Sequence, residues 1–369
     1  MKIEEIAQKF ELEGKIIGIK ENKTGNINKT YLIITDKKKF ILQKINTLVF
    51  NEPYLLMQNI ENVTNYYKKY LKKNGGDTER ETLSVIKTKE GINLYRNEDE
   101  YYRMYNYVDN AITYDKSESE EMFYNVGKAF GHFVKVLNNY PMESLNVTIP
   151  NFHNSKVRFK NFLKDIKKDP CNRVKNVCPE IVYIIQREDE LKSIVDLLGK
   201  GKIPLRVTHN DTKINNVLID SKTNKAICVI DLDTVMPGSA LYDFGDAIRS
   251  GASTTFEDDP DLNNVGINME YFKSFTTAYL SETRDILKKE EIDNLVLSCK
   301  VITLELAMRF LNDYINGDTY FKCGYENHNL VRCRNQLKLV SEIEKNYKLM
   351  EKIVKEETKV KTLNKLDKH

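Results

Sequence analysis

Residues 207–220 read V-T-H-N-D-T-K-I-N-N-V-L-I-D, and after S-K-T-N-K the chain continues A-I-C-V-I-D-L-D-T-V-M-P-G over 226–238 and L-Y-D-F-G-D-A-I-R-S over 241–250. The apolar runs 217–219 and 226–230 are short and rich in β-branched residues, with turn chemistry between them, so a β-hairpin is predicted. Polar clusters flank its strands. The first is His209, Asp211, Lys213 and Asn216 in the order H-x-D-x-K-x-x-N. The second is Asp231, where an apolar run ends in a carboxylate that must face polar surroundings or a metal. Asn and Asp favour turns in any protein, and an isolated H-x-D would mean no more than that. The Asn at its fixed offset and a second strand ending in I-D favour chemistry instead. Phosphoryl transfer asks for a carboxylate near the acceptor hydroxyl, oxygen ligands for Mg²⁺ and a cation for the phosphates. All three stand in this stretch.

Size and charge bound the reading. A chain of 369 residues with 41% hydrophobic content can bury a large core and is expected to hold two lobes. Lys and Arg number 57 against 54 Asp and Glu, leaving a formal charge of +3, so no broad field for nucleic acid or an anionic membrane is implied. The six cysteines form no C-x-x-C pair and have no paired histidines, which argues against zinc and redox motifs. Cys228, inside an apolar strand, reads as a core residue. Residues 1–10 carry Ile3, Ile6, Ala7 and Phe10 at helical spacing rather than a signal-peptide core. No run approaches the roughly 18 apolar residues of a membrane span. A cytoplasmic enzyme, monomer or weak dimer, is the expectation.

The H-x-D-x-x-x-x-N stretch followed by a strand and I-D resembles the catalytic and metal loops of the aminoglycoside phosphotransferase family, small-molecule relatives of protein kinases. Within it, H-N-D-T-K-I-N-N, V-I-D-L-D-T-V-M-P-G and Y-D-F-G-D-A-I-R are similar to the N-acetylhexosamine 1-kinase branch. The likeness extends more weakly to about Arg334. It implies an α+β, bilobal protein-kinase-like fold: a small antiparallel β-sheet lobe that binds nucleotide over 1–108, a larger mainly helical catalytic and substrate lobe over 109–341, and a charged helical tail over 342–369. It also implies ATP as phosphate donor, Mg²⁺ as cofactor, and N-acetylglucosamine or N-acetylgalactosamine phosphorylated at its anomeric hydroxyl, the alternatives being another small alcohol (another sugar, homoserine, choline or methylthioribose) or a catalytically silent sugar- or nucleotide-binding regulator. By position, Asp211 becomes the catalytic base, Lys213 a phosphate contact, and Asn216 and Asp231 the Mg²⁺ ligands. Asp243 becomes a structural carboxylate tying down the catalytic loop. His209 reads as a buried imidazole bracing that loop. Asp233 and Asp246 either touch substrate or are solvated or capping carboxylates.

Upstream, strands are predicted over 15–20, 30–35 and 40–45. The loop after the first carries Gly25, Asn26, Asn28 and Thr30, and its backbone can approach a polyphosphate. G-x-G-x-x-G is absent, so by itself this loop is an ordinary hairpin turn. The third strand, F-I-L-Q-K-I-N, puts Gln43 where kinase-like enzymes keep a phosphate-orienting lysine, with Lys44 one step on. Alternate side chains face opposite ways, so only one of the two faces the nucleotide. Pro53 opens a helix to about residue 73, strands follow over 82–87 and 91–95, and 101–109, with Tyr105 and Tyr107, is the expected hinge whose backbone pairs with adenine in the family. Its tyrosines read equally as sheet packing.

Downstream, Ser117 or Ser119 caps a helix to about 139 with Phe123, Val126, Phe130, Phe133, Val134 and Leu137 on one face. Helices are expected over 155–168, 180–198, 241–250, 268–284 and 288–316, with a polar loop over 251–266. Arg309 lies on an apolar face of the last, and a buried guanidinium needs a partner. That partner is either Glu305 or a sugar. In the hexosamine 1-kinase branch an Arg here, followed eleven residues later by a Tyr, contacts the sugar, and Tyr320 stands at that interval.

Overall fold

Strand β3, Lys39–Lys44, shows how alternation builds the smaller unit. Phe40 and Leu42 are buried on one face with Tyr102 and Met104 against Ile6, Ala7 and Phe10 of the N-terminal segment. Ile41 and Gln43 therefore point to the other face. The computed structural model describes residues 1–22 and 27–366. It is a mixed α+β structure that divides into two compact units.

The first unit comprises Met1–Thr113, Asn139–Pro150 and Val217–Pro237. After helix α1, Ile3–Ala7, an antiparallel sheet forms from β1 (Ile16–Asn22), β2 (Lys29–Thr35), β3, β4 (Val85–Ile86), β5 (Tyr95–Asn97) and β6 (Glu100–Asn106). Its order is β1-β2-β3-β6-β4, with β5 also on β6. Register places Thr30 opposite Gln43 and Gln43 opposite Arg103. Strands β4 and β5 are shorter than predicted because they share one edge of β6. Val85 and Ile86 take Tyr105 and Met104, while β5 takes Glu100, Tyr101 and Tyr102. Helix α2, Pro53–Asn74, begins at its proline and ends at Gly75 in the left-handed region, φ 73°. The predicted hairpin is present as Val217–Asp220 and Ala226–Val229, joined to a short strand β7, Ala111–Ile112.

The second unit comprises Tyr114–Asn138, Asn151–Asn216 and the chain from Gly238 onward. It is mainly helical: α3 (Glu120–Leu137), α4 (Ser155–Lys168), α5 (Cys178–Ile185), α6 (Glu188–Gly199), α7 (Ala240–Gly251), α8 (Met269–Thr283), α9 (Lys289–Asp293), α10 (Leu295–Ile315) and α11 (His328–Leu366). Ser119 is the cap of α3, its hydroxyl accepting from Met122 N at 3.1 Å. The helix predicted over 180–198 is two, with the break at Arg187, φ −110°. The guanidinium there forms a bidentate pair with Glu344 of α11 at 2.8 and 3.0 Å, a tertiary tie that the local sequence does not announce. The helix predicted over 288–316 likewise breaks at Asn294. Among the described residues, no helix is long and apolar enough to cross a membrane.

Helix α7 packs on α10 through Gly245, where an added Cβ would lie 2.5 Å from Ser298 O and 3.0 Å from Ile302 Cγ2. Gly245→Ala should therefore cost about 1–3 kcal/mol of stability, since a backbone carbonyl cannot swing away like a side chain. A urea melt measures it; an unchanged midpoint would show that the two helices separate easily.

Candidate active site

In the second unit, the chain turns sharply after the strand Arg206–Thr208. Asn210 sits in the left-handed region, φ 63°, a conformation Asn tolerates better than most residues. The buried carboxylate of Asp243, at the start of α7, accepts from His209 N at 2.9 Å and Asn210 N at 2.7 Å. Thr212 Oγ1 donates to the Asp243 carbonyl at 2.5 Å. This is the structural tie expected of Asp243. Burial pushes its carboxyl up to about 6, against the opposing pull of His209 and the two amides. His209 is fully buried, lies edge-on to Phe130 and Phe133, and its Nδ1 accepts from Asp211 N at 3.3 Å. It braces the loop.

That bracing presents Asp211. Lys213 Nζ lies 3.2 Å from its Oδ1, and Asn216 Nδ2 donates to Oδ2 at 3.1 Å and to the Asp211 carbonyl at 2.8 Å. Burial disfavours the ionised acid, but Lys213, His209 and Asn216 outweigh it and hold Asp211 below the ordinary carboxylate range. It is ionised at neutral pH. Asp211 in turn keeps Lys213 firmly protonated. Asp246 is buried and clamped by Arg249, Nε to Oδ1 at 2.8 Å; Arg249 also reaches Glu257 of the polar loop at 3.1 Å. Neither acid is simply solvated.

In the first unit, Gln43 shares its face with Arg103, and Lys44 lies on the other, ion-paired to Glu100. Arg103 is 1% exposed and Asp233 4%. Arg103 Nη2 donates to Asp233 Oδ2 at 2.9 Å and its Nη1 to Oδ1, while Nε and Nη2 donate to Gln43 Oε1 at 3.0 and 2.8 Å. Gln43 Nε2 donates to Thr30 Oγ1 at 3.1 Å. Asn28 Nδ2 donates to Asp233 Oδ2 at 2.7 Å and its Oδ1 accepts from Asn46 N at 3.0 Å. Gly25 and Asn26 lie outside the described residues. Of the hinge tyrosines, Tyr105 is buried beneath the Arg103 guanidinium, 5.3 Å from ring centre to cation. Tyr107 has its N–H bonded to Lys39 O at 3.2 Å. Asp233, read from sequence as a substrate contact or a solvated or capping carboxylate, is instead half of a buried ion pair.

The second unit also holds a cleft of about 430 Å³ lined by Arg158, Asn161, Asp165, Arg309, Asn312 and Tyr320 among others. The guanidinium of Arg309 faces the rings of Phe152, Tyr320 and Phe321 at 5.7, 5.9 and 5.4 Å. Glu305 is not its ion-pair partner: it contacts His153 Nδ1 at 3.0 Å and Arg158 Nε at 3.6 Å. His153 Nε2 lies 3.3 Å from the Asn210 carbonyl, so one imidazole spans α10 and the loop that carries Asp211. Asp313 accepts from the backbone N–H groups of Thr319, Tyr320 and Phe321 at 2.8–2.9 Å, which fixes the segment carrying both aromatic rings. Sequence reading missed Arg103, His153 and Arg158. Each is defined by a partner far away in the chain.

The donors expected for Mg²⁺ are all oxygens, an amide from Asn216 and a carboxylate from Asp231, which suits a hard cation. Asn216 uses its Nδ2 on Asp211, leaving its Oδ1 without a hydrogen bond among the described residues. Asp231 is held in the left-handed region, φ 59° and ψ 57°. Taken each by itself, both residues have donor chemistry that suits the ion.

A model of the phosphotransferase enzyme family (APH) matches residues 18–270. The chain belongs to this family. Solved structures of similar fold include a microcompartment-associated aminopropanol kinase, 16% identical with a TM-score of 0.62, the match covering 94% of this chain and 97% of that one. An aminoglycoside phosphotransferase from Alicyclobacillus acidocaldarius is 9% identical with a TM-score of 0.60, covering 96% and 95%. A spectinomycin phosphotransferase in complex with ADP and its antibiotic is 12% identical with a TM-score of 0.56, covering 92% and 95%. The α+β, kinase-like fold of the phosphotransferase family is thus that of this chain.

Proposed function

We propose that this phosphotransferase is an ATP-dependent small-molecule kinase that phosphorylates the anomeric hydroxyl of an N-acetylhexosamine. The observation that carries the acceptor reading is Arg309. Its guanidinium is surrounded by three aromatic rings, its acidic neighbours on the helix, Glu305 and Asp313, are engaged elsewhere, and it lines a polar cleft together with Tyr320. Such a cation is complementary to hydroxyl and carbonyl oxygens of a sugar and needs no charge from it. An amino alcohol is the competing acceptor, and two features disfavour it. Arg158 and Arg309 would repel an ammonium, and the cleft's carboxylates already accept hydrogen bonds, Asp165 through Oδ2 from Asn312 and Asn316 and Asp313 from backbone amides.

In this reading the acceptor oxygen attacks the γ-phosphorus, the bond to the bridging oxygen breaks, ADP leaves, and the hydroxyl proton passes to Asp211. Lys213 offsets charge on the transferred group. Asn216 and Asp231 would hold Mg²⁺, which would supply positive charge to the phosphates. An anomeric hydroxyl is more acidic than an ordinary alcohol, so a carboxylate that stays ionised suffices to take its proton late in transfer. Gln43, Thr30 and Asn28 shape the nucleotide face, and Asp246 borders the acceptor.

ADP release, measured by a coupled assay over hexosamines, hexoses and amino alcohols, tests the proposal. The highest kcat/KM should fall on an N-acetylhexosamine, with an acid-labile phosphate as product; turnover of amino alcohols alone would replace the reading. Arg309→Ala should raise the acceptor KM by about 10–100-fold, the loss of one or two charge-assisted hydrogen bonds, and leave the KM for ATP unchanged. Equal changes in both would remove Arg309 from the acceptor site.

A further inference from the structure

The turn that carries Asp231 is held at an unusual number of points. Asp231 itself adopts left-handed backbone angles, φ 59° and ψ 57°, which a non-glycine residue keeps only where its surroundings over-determine it. Two residues on, the Asp233 side chain is gripped by Arg103 and Asn28. Thr148 Oγ1 lies 3.4 Å from the Asp233 carbonyl, and Asn59 Nδ2 donates to the Val235 carbonyl at 3.1 Å. Thr148 and Asn59 are both buried. Every one of these partners belongs to the same unit as the turn.

Arg103 is the charged member of this set. Four donor contacts go to Asp233 and Gln43, and at 1% exposure no surface remains for a phosphate. Strand β3 offers Gln43 rather than a lysine on this face, and Lys44 is turned away toward Glu100. Among the described residues, the full positive charge that the sheet brings to Asp233 is therefore borne by β6. We infer that Arg103 is a positioning residue for the metal-binding turn: by locking Asp233 it fixes where Asp231, two residues earlier, presents its carboxylate. This rests on the reading of Asp231 as a Mg²⁺ ligand. Gln43 serves Arg103 as a second acceptor that orients the guanidinium, with Thr30 behind it.

The full-length chain carrying Arg103→Met and Asp233→Leu, singly and together, tests the inference. An apolar pair replaces a buried ion pair without leaving a lone charge, so the double variant should fold where each single one is weakened. Binding of a non-hydrolysable ATP analogue is measured by calorimetry with Mg²⁺ and with EDTA. The double variant should melt near the parent and bind the analogue in EDTA as the parent does. It should lose about 10–100-fold of the affinity that Mg²⁺ adds, the usual effect of removing a group that orients a metal ligand. Gln43→Met, a milder change, should lose part of the same gain. A double variant that keeps the whole Mg²⁺ gain, or loses affinity equally in EDTA, overturns the inference alone. A parent that gains nothing from Mg²⁺ overturns the metal reading and the inference with it. Should the double variant not fold, Gln43→Met decides: an unchanged Mg²⁺ gain there counts against Arg103.

Discussion

Asp211→Asn will lower kcat by about 10²–10⁴-fold, the range for loss of a general base, while ATP still binds. The amide preserves shape and can still bond Asn216 and lie beside Lys213, so the loop should not collapse. What disappears is the negative charge that receives the acceptor proton. Single-turnover phosphoryl transfer read against calorimetric nucleotide binding separates the two effects. Activity within a factor of about three of the parent would remove Asp211 from the chemistry, because that corresponds to well under 1 kcal/mol of barrier.

Asp243→Asn should weaken both fold and turnover. An amide has one acceptor oxygen, and the structure asks Asp243 to accept from His209 N and Asn210 N with different oxygens. One buried N–H is left facing an NH₂, at a cost of about 1–3 kcal/mol, and Asn210 loses a constraint on its left-handed backbone. The pH signature has a definite sign. The folded carboxyl lies at about 6, above its ordinary 3.8, so its contribution to stability is fully present below pH 3.8 and is lost as pH rises through 6. The slope of stability between those limits should flatten in Asp243→Asn. Protonation of Asp243 also removes an acceptor from the catalytic loop, so an acid limb in kcat near pH 6 would belong to Asp243 rather than to Asp211, whose carboxyl titrates lower. Urea melts across pH 4–7 and a kcat profile of both proteins check this; identical slopes would show that Asp243 does not titrate there.

The grouping of His209, Asp211, Lys213 and Asn216 was legible because they lie within eight residues, where spacing alone brings neighbours together. The hairpin, the Pro53 helix start and the Asp243 tie were readable for the same reason: each is a local rule or a family motif in one stretch. Gln43 against Lys44 could not be decided locally, since the face of β3 that meets the α1 core is set by where Phe40 and Leu42 bury. Asp233 was misjudged because its partner Arg103 is 130 residues away, and a D-x-D pattern says nothing about a distant guanidinium. The helix break at Arg187 had no glycine or proline to mark it and follows from Glu344 on α11.

The His153 side chain touches both the Asn210 carbonyl and Glu305, with Tyr242 stacked on its ring at 4.6 Å. Anyone seeking to redirect this enzyme to new acceptors by recutting helix α10 therefore meets a hinge pin. On the proposed reading, a change at Glu305 would reach the loop 209–216 through the His153 ring and alter speed along with selectivity.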